Sequence, residues 1–229
     1  MNRFRISLIP VVFSLFLTAC TFDGFRHPVV LKFSWFSYLN GDDMRDRCVS
    51  GAPDEFRFVY NGIYTEQVRM YDVFPDPAEA GQYLVEARVS GDGDVRSVLR
   101  ELSRPSLFAP WRTVDSKVNI RAKDVEKLKL SLRSDGYFSG RAYQGDLSSI
   151  QFYWLVLGCF GGEFHVKSFL WPGSSLLDLD FAKLLSSWDF TEITVNPPLE
   201  TTLFEIYGTN DEEDHHNHFF IKVRNNRVN

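Results

Sequence analysis

The densest run of reactive side chains in this 229-residue sequence is Asp211-Glu212-Glu213-Asp214-His215-His216-Asn217-His218. Imidazoles and carboxylates together are the ligand set of zinc and copper. In an extended segment His216 and His218 share one side and His215 takes the other. Asp214, His215, His216 and His218 are therefore the candidate ligands of a weakly held divalent metal. The competing reading is a polar loop between two strands, whose four acidic residues keep it in water. A site built wholly on one loop tip suits opportunistic binding better than catalysis, so the loop is the preferred reading and no cofactor is expected beyond such a weak metal.

Other candidate chemistry is thinner. Gly91-Asp92-Gly93-Asp94 opens like a calcium loop, but Arg96 and Ser103 fall where the third ligand and the closing Glu belong,. Cys159 and His165 could be drawn as a nucleophile and its base; a disulfide or a buried thiol is the simpler use of that cysteine. The sequence holds no Gly-x-Ser-x-Gly, no phosphate-cradling loop before a Lys and no dinucleotide fingerprint,, and no catalytic residue is assigned. Aromatic residues are abundant. Trp35, Phe36, Tyr38, Phe108, Trp111, Tyr153, Trp154, Phe160 and Trp171 could line a ligand groove,, although β proteins also spend aromatics on core and sheet faces.

The elements that would position these residues are mainly strands. The apolar stretch Val29 to Leu39 reads as extended. Phe56, Phe58 and Tyr60 alternate, Asn61-Gly62 suits a two-residue turn, and Tyr64 to Val73 returns,. Further strands are expected at Tyr83 to Ser90 and at Val118 to Arg121, with Leu128, Leu130 and Leu132 continuing the alternation until Asp135-Gly136 turns the chain. Ile150 to Leu157 and Phe164 to Leu170 read as a hairpin, its first arm buried on both faces. Late strands are expected at Glu192 to Val195, Thr201 to Tyr207 and His218 to Val223. Two short helices are predicted, at about 94–103 (Val95, Val98, Leu99, Leu102) and about 176–188 (Leu177, Phe181, Leu184, Leu185, Trp188),. Strands do not alternate with helices, so a doubly wound parallel fold is excluded. The expected fold is α+β, mainly β: a single domain over residues 28–229 built on an antiparallel sheet or sandwich, with two short helices.

The first nineteen residues read as a secretory signal. Arg3 and Arg5 precede an apolar run, Ile6 to Leu17, and Thr18-Ala19 supplies small residues,. The run is short of the roughly 20 residues a membrane-spanning helix needs. Leu17-Thr18-Ala19-Cys20 resembles the lipobox of bacterial lipoproteins. The resemblance covers these four positions and the apolar run before them, and no family is recognised for the rest. It implies cleavage before Cys20, diacylglycerol on the Cys20 sulfur and acylation of the new amino terminus. Several acyl chains on one residue would hold a protein stably on a bilayer, since each buried methylene contributes about 0.8 kcal/mol. Residues 20–27 would then form a lipidated tether. Thr21, where Asp favours inner-membrane retention, points by resemblance to the periplasmic face of the outer membrane in a Gram-negative host.

The formal charge is −5. Loss of Arg3 and Arg5 makes the remainder more acidic, which argues against nucleic acid as a partner and against a protein patch that binds anionic lipid. With Cys20 as the anchor, Cys48 and Cys159 are left. An oxidising compartment invites their pairing, which closes a loop worth roughly 4–5 kcal/mol in the chain-entropy view; two separate buried thiols are the alternative. The leading expectation is a non-catalytic envelope lipoprotein that binds a partner protein. A lipid-, glycan- or metal-binding module and an envelope hydrolase are the alternatives.

Overall fold

The structure, a computed structural model, describes residues 38–64, 66–91, 113–138, 145–198 and 219–228. Strands β1 (Glu55–Gly62), β2 (Gln67–Pro75), β3 (Gln82–Gly91), β4 (Thr113–Arg121), β6 (Phe152–Phe160) and β7 (Glu163–Leu170) form one antiparallel sheet in the order β4-β3-β2-β1-β6-β7. β5 (Gly145–Ser148), β8 (Phe220–Arg224) and β9 (Arg227–Val228) form a second, three-stranded sheet. The helices are α1 (Asp42–Arg47), α2 (Ala122–Ser134) and α3 (Asp180–Ser187). The fold is α+β and mainly β, as the alternating sequence pattern implies. No described helix is long and apolar enough to cross a membrane.

Alternation along the strands sorts residues onto two faces. Phe56, Phe58 and Tyr60 of β1, Tyr71 and Val73 of β2, Val85 and Ala87 of β3 and Trp154 and Val156 of β6 build the core with Val125, Leu128 and Leu132 of α2 and Phe181 and Leu185 of α3. Trp154 packs edge-on to Phe181 with ring centroids 5.4 Å apart. The other face carries Arg57, Asp72 and Arg88 and meets α1. β6 is buried from Phe152 through Cys159, the continuous burial its sequence predicts.

Several local expectations are corrected. Asn61 and Gly62 do not turn the chain: they are the last residues of β1, and Ile63 makes the turn with φ of 64°, its carbonyl accepting from Glu66 and Gln67 N–H. Asn61 stays extended because its amide donates to the Ser149 and Gln151 carbonyls. Leu128, Leu130 and Leu132 belong to helix α2, not to a strand; Leu128 and Leu132 are fully buried and Leu130 is 62% exposed, the signature of a 3.6-residue period,. Asp135-Gly136 terminates α2, with Gly136 at φ of 78° and Tyr137 N–H bonded to the Leu132 carbonyl,. The second predicted helix starts late, at Asp180, because its first N–H groups are capped from outside: Asp135 accepts from Asp180 N at 3.0 Å and Phe181 N at 2.9 Å,. Residues 38 and 39, expected to be extended, are helical, and 192–195 are irregular. The helix at 94–103 and the strand at 201–207 lie outside the described residues.

Candidate functional site

β1 places Arg57, an ion, in the middle of a sheet, and the sequence of β2 answers it. The register sets Arg57 opposite Asp72. Both are nearly buried, at 7% and 8% exposed, so each needs full hydrogen bonding to be tolerated there. Arg57 Nε donates to Asp72 Oδ1 at 2.8 Å. Its Nη1 donates to the Tyr38 carbonyl at 2.8 Å and to Asp43 Oδ1 at 3.0 Å, and its Nη2 to Asp43 Oδ2 at 3.0 Å. Asp72 Oδ2 accepts from Arg88 Nη2 at 2.8 Å and from the Tyr38 hydroxyl at 2.9 Å. The Arg57 guanidinium lies 3.9 Å from the Tyr38 ring centroid and that of Arg88 5.5 Å,.

Two cations and two anions thus surround one phenol. Burial, then the neighbouring Asp72 charge, pushes the Tyr38 hydroxyl well above its ordinary range. Burial pulls the Asp43 carboxyl upward, but the Arg57 hydrogen bonds and charge outweigh it and hold the group below the usual carboxylate range. Burial likewise opposes the Arg57 charge, and Asp43 and Asp72 overcome it. A cavity of about 550 Å³ opens alongside, with Arg47, Glu55, Arg57, Asp72 and Phe74 in its wall. That volume is in the range of small-molecule sites.

The chemical capacity of this cluster is to fasten. Its hydrogen bonds join β1, β2 and β3 to residue 38 and to Asp43 of α1. The disulfide adds a covalent tie at the same place: Cys48, the C-cap of α1, is bonded to Cys159 of β6, with Cα atoms 5.5 Å apart. The pairing expected from the sequence is present, and the thiol drawn as a nucleophile beside His165 is therefore consumed. Cys159 is also buried.

A second buried charge has the same character. Arg69 donates to Asp189 at 2.5 Å and to the Ile193 carbonyl, while the Tyr71 hydroxyl reaches Asp189 at 2.7 Å. Gln67 donates to the Thr194 carbonyl at 2.9 Å and accepts from Asn196 N at 2.9 Å. Together they bind the irregular segment 189–196 to β2. Burial raises the Asp189 carboxyl, and hydrogen bonds from Thr191 and Tyr71 with the Arg69 charge more than reverse that. Between α2 and α3 runs an open groove of about 640 Å³, with Leu130 and Leu184 between Lys127 and Lys183.

The remaining sequence candidates divide. Tyr153 and Trp154 are core residues, and Phe160 and Trp171 are partly buried against the core. Trp35, Phe36, Phe108, Trp111, Cys20 and the four metal candidates Asp214, His215, His216 and His218 lie outside the described residues. Among the described residues no group of three metal-ligating side chains converges. Sequence reasoning passed over Arg57, Arg69 and Asp72. The available signal was an ion inside an apolar strand, Phe56-Arg57-Phe58 and Arg69-Met70-Tyr71-Asp72-Val73. No family model matches this chain, and neither the curated proteins nor the solved structures hold a significant match to it.

Proposed function

We propose that this chain is an exported envelope protein, held on a bilayer by acyl groups on Cys20, that works by binding another envelope component and not by catalysis. The Cys48–Cys159 bond carries the reading, because lasting disulfides belong to oxidising compartments. The lipobox-like Leu17-Thr18-Ala19-Cys20 supports the anchor, and Thr21 supports the periplasmic face of the outer membrane in a Gram-negative host. The two buried ionic clusters fit the non-catalytic part of the reading, since their side chains are spent on fastening elements. The cavity beside Arg57 favours a second reading, a ligand-binding module.

Mass spectrometry of the full-length protein extracted from membranes tests the proposal. The expected product starts at Cys20, carries diacylglycerol and an amide-linked acyl chain, and has Cys48 joined to Cys159. A soluble product that keeps Met1, with free thiols, overturns it. Native mass measurement of the same extract distinguishes the second reading by a bound small molecule.

A further inference from the structure

We propose that the outer edge of β4 pairs with the same edge of a second copy, antiparallel and centred on Ser116. β4 ends the six-stranded sheet, and among the described residues no strand hydrogen-bonds to its outer side. It is nine residues long and runs against β3 without a bulge. An edge of that kind is a template for another strand unless charge or cover blocks it. The opposite edge of the sheet is covered: the Asn226 side chain accepts from Val166 N at 2.5 Å and donates to the Phe164 carbonyl, as a neighbouring strand would.

The sequence of β4 fits its own copy. Val114-Asp115-Ser116-Lys117-Val118 is symmetric in polarity and opposite in charge about Ser116. In an antiparallel pair centred there, Asp115 faces Lys117 of the second copy, Lys117 faces its Asp115, and Val114 faces its Val118. Centring on Asp115 or Lys117 would set like charges opposite each other, which is destabilising. Charge therefore selects the register. Asp115 lies opposite Arg88 of β3, yet Arg88 turns to Asp72, and among the described residues Asp115 has no ion-pair partner.

Apolar surface points the same way. Val114 is 42% exposed and Phe190 63% exposed. Phe190 N–H donates to Ser116 Oγ at 3.2 Å, which sets that residue beside β4. Pairing would bring Val118 of the second copy onto Val114. The contact is isologous and closes on itself as a two-fold dimer.

The test uses the full-length chain in its membrane, with cysteine introduced at the symmetry axis. Cys48 and Cys159 are bonded to each other, and Cys20 is replaced by Ser in a parallel set to exclude linking through it. Ser116→Cys should form a disulfide-linked dimer on a non-reducing gel, and Arg121→Cys, far from its own copy in this register, should not. Adding Asp115→Lys should abolish the Ser116→Cys dimer band, and the exchange Asp115→Lys with Lys117→Asp should restore it. Light scattering of the detergent-extracted wild type should give twice the chain mass. A monomeric mass, equal linking at Arg121→Cys, or an exchange variant that does not regain the dimer overturns the proposal. Asp115 and Lys117 are exposed, but Asp115→Lys sets like charge opposite Arg88 and Lys117→Asp replaces the Lys117–Glu86 pair with two carboxylates,; cooperative unfolding of each variant therefore accompanies the gel, and only variants that fold are scored.

Discussion

Replacing Asp72 by Ala isolates what the buried cluster contributes. The variant removes the acceptor of three hydrogen bonds, from Arg57, Arg88 and the Tyr38 hydroxyl. Arg57 remains nearly buried and keeps Asp43, which is about half exposed. Arg88 is 38% exposed and can turn to water. Truncating one partner of a buried ion pair costs about 3–5 kcal/mol; the surviving Asp43 contact and the exposure of Arg88 place Asp72→Ala near the low end, about 3 kcal/mol. The double variant Asp72→Ala with Arg57→Met removes the stranded cation and should be less destabilised than the sum of the single changes by about 1–3 kcal/mol. Glu86→Ala, which breaks an exposed pair with Lys117, should cost at most about 1 kcal/mol. Urea unfolding of wild type, the Asp72→Ala and Arg57→Met single variants, the double variant and Glu86→Ala measures these differences, with an unchanged denaturant slope as the sign that the native state is intact. An Asp72→Ala variant within about 0.5 kcal/mol of wild type, a range ordinary surface changes occupy, would refute the view that desolvation of Arg57 dominates here.

Other outcomes follow from the same geometry. Leu128→Ala should cost about 2–5 kcal/mol by opening a core cavity and Leu130→Ala about 0.5 kcal/mol or less; in a strand the two would share a face and behave alike. Cys48→Ser with Cys159→Ser opens a bond spanning 111 positions and should lower stability by about 4–5 kcal/mol, read from denaturant midpoints. The Asp189 carboxyl is held below the ordinary value of about 3.9 by its hydrogen bonds and Arg69, against the pull of burial. Its contribution is complete above that value and disappears as pH falls through the folded one, so acid unfolding of Asp189→Asn should show a shallower pH dependence. Burial raises the Tyr64 hydroxyl to about 12. The neutral form is favoured in the fold, so stability is full below the unfolded value of about 10 and declines from there towards 12. A Tyr64→Phe variant should show a shallower alkaline decline, and the phenolate absorbance titration should lose a component near 12.

The alternation Phe56, Phe58, Tyr60 and the apolar run of β6 were legible because burial on a sheet face is a period-two demand that neighbouring residues meet on their own. α2 was not, because Leu128, Leu130 and Leu132 satisfy a period of two as well as Val125, Leu128 and Leu132 satisfy a period near 3.6; tertiary packing against α3 and β3 decides between them. The start of α3 depends on Asp135, 45 positions away, and no local capping motif announces it. The Arg57 cluster failed to appear for the same reason. Arg57, Asp72 and Arg88 are separate ions in sequence, and the strand register alone makes them neighbours. The Cys48–Cys159 pair was readable because three cysteines, one of them in the lipobox-like run, leave a single pair without any knowledge of the fold.

The bond between Cys48 and Cys159 also sets a load path. β1, β2, β3, β4 and nearly all of β6 lie within the stretch it closes. A pull applied between the two ends of the chain enters at Cys48 and leaves at Cys159 without passing through those strands. The 111 backbone steps between them, which could otherwise release about 3.3–3.6 Å of length each, are removed from the extensible contour. Under tension the core of the large sheet is bypassed, and the elements that must bear force are those outside the loop: α1 on one side, and β7, α3, β8 and β9 on the other.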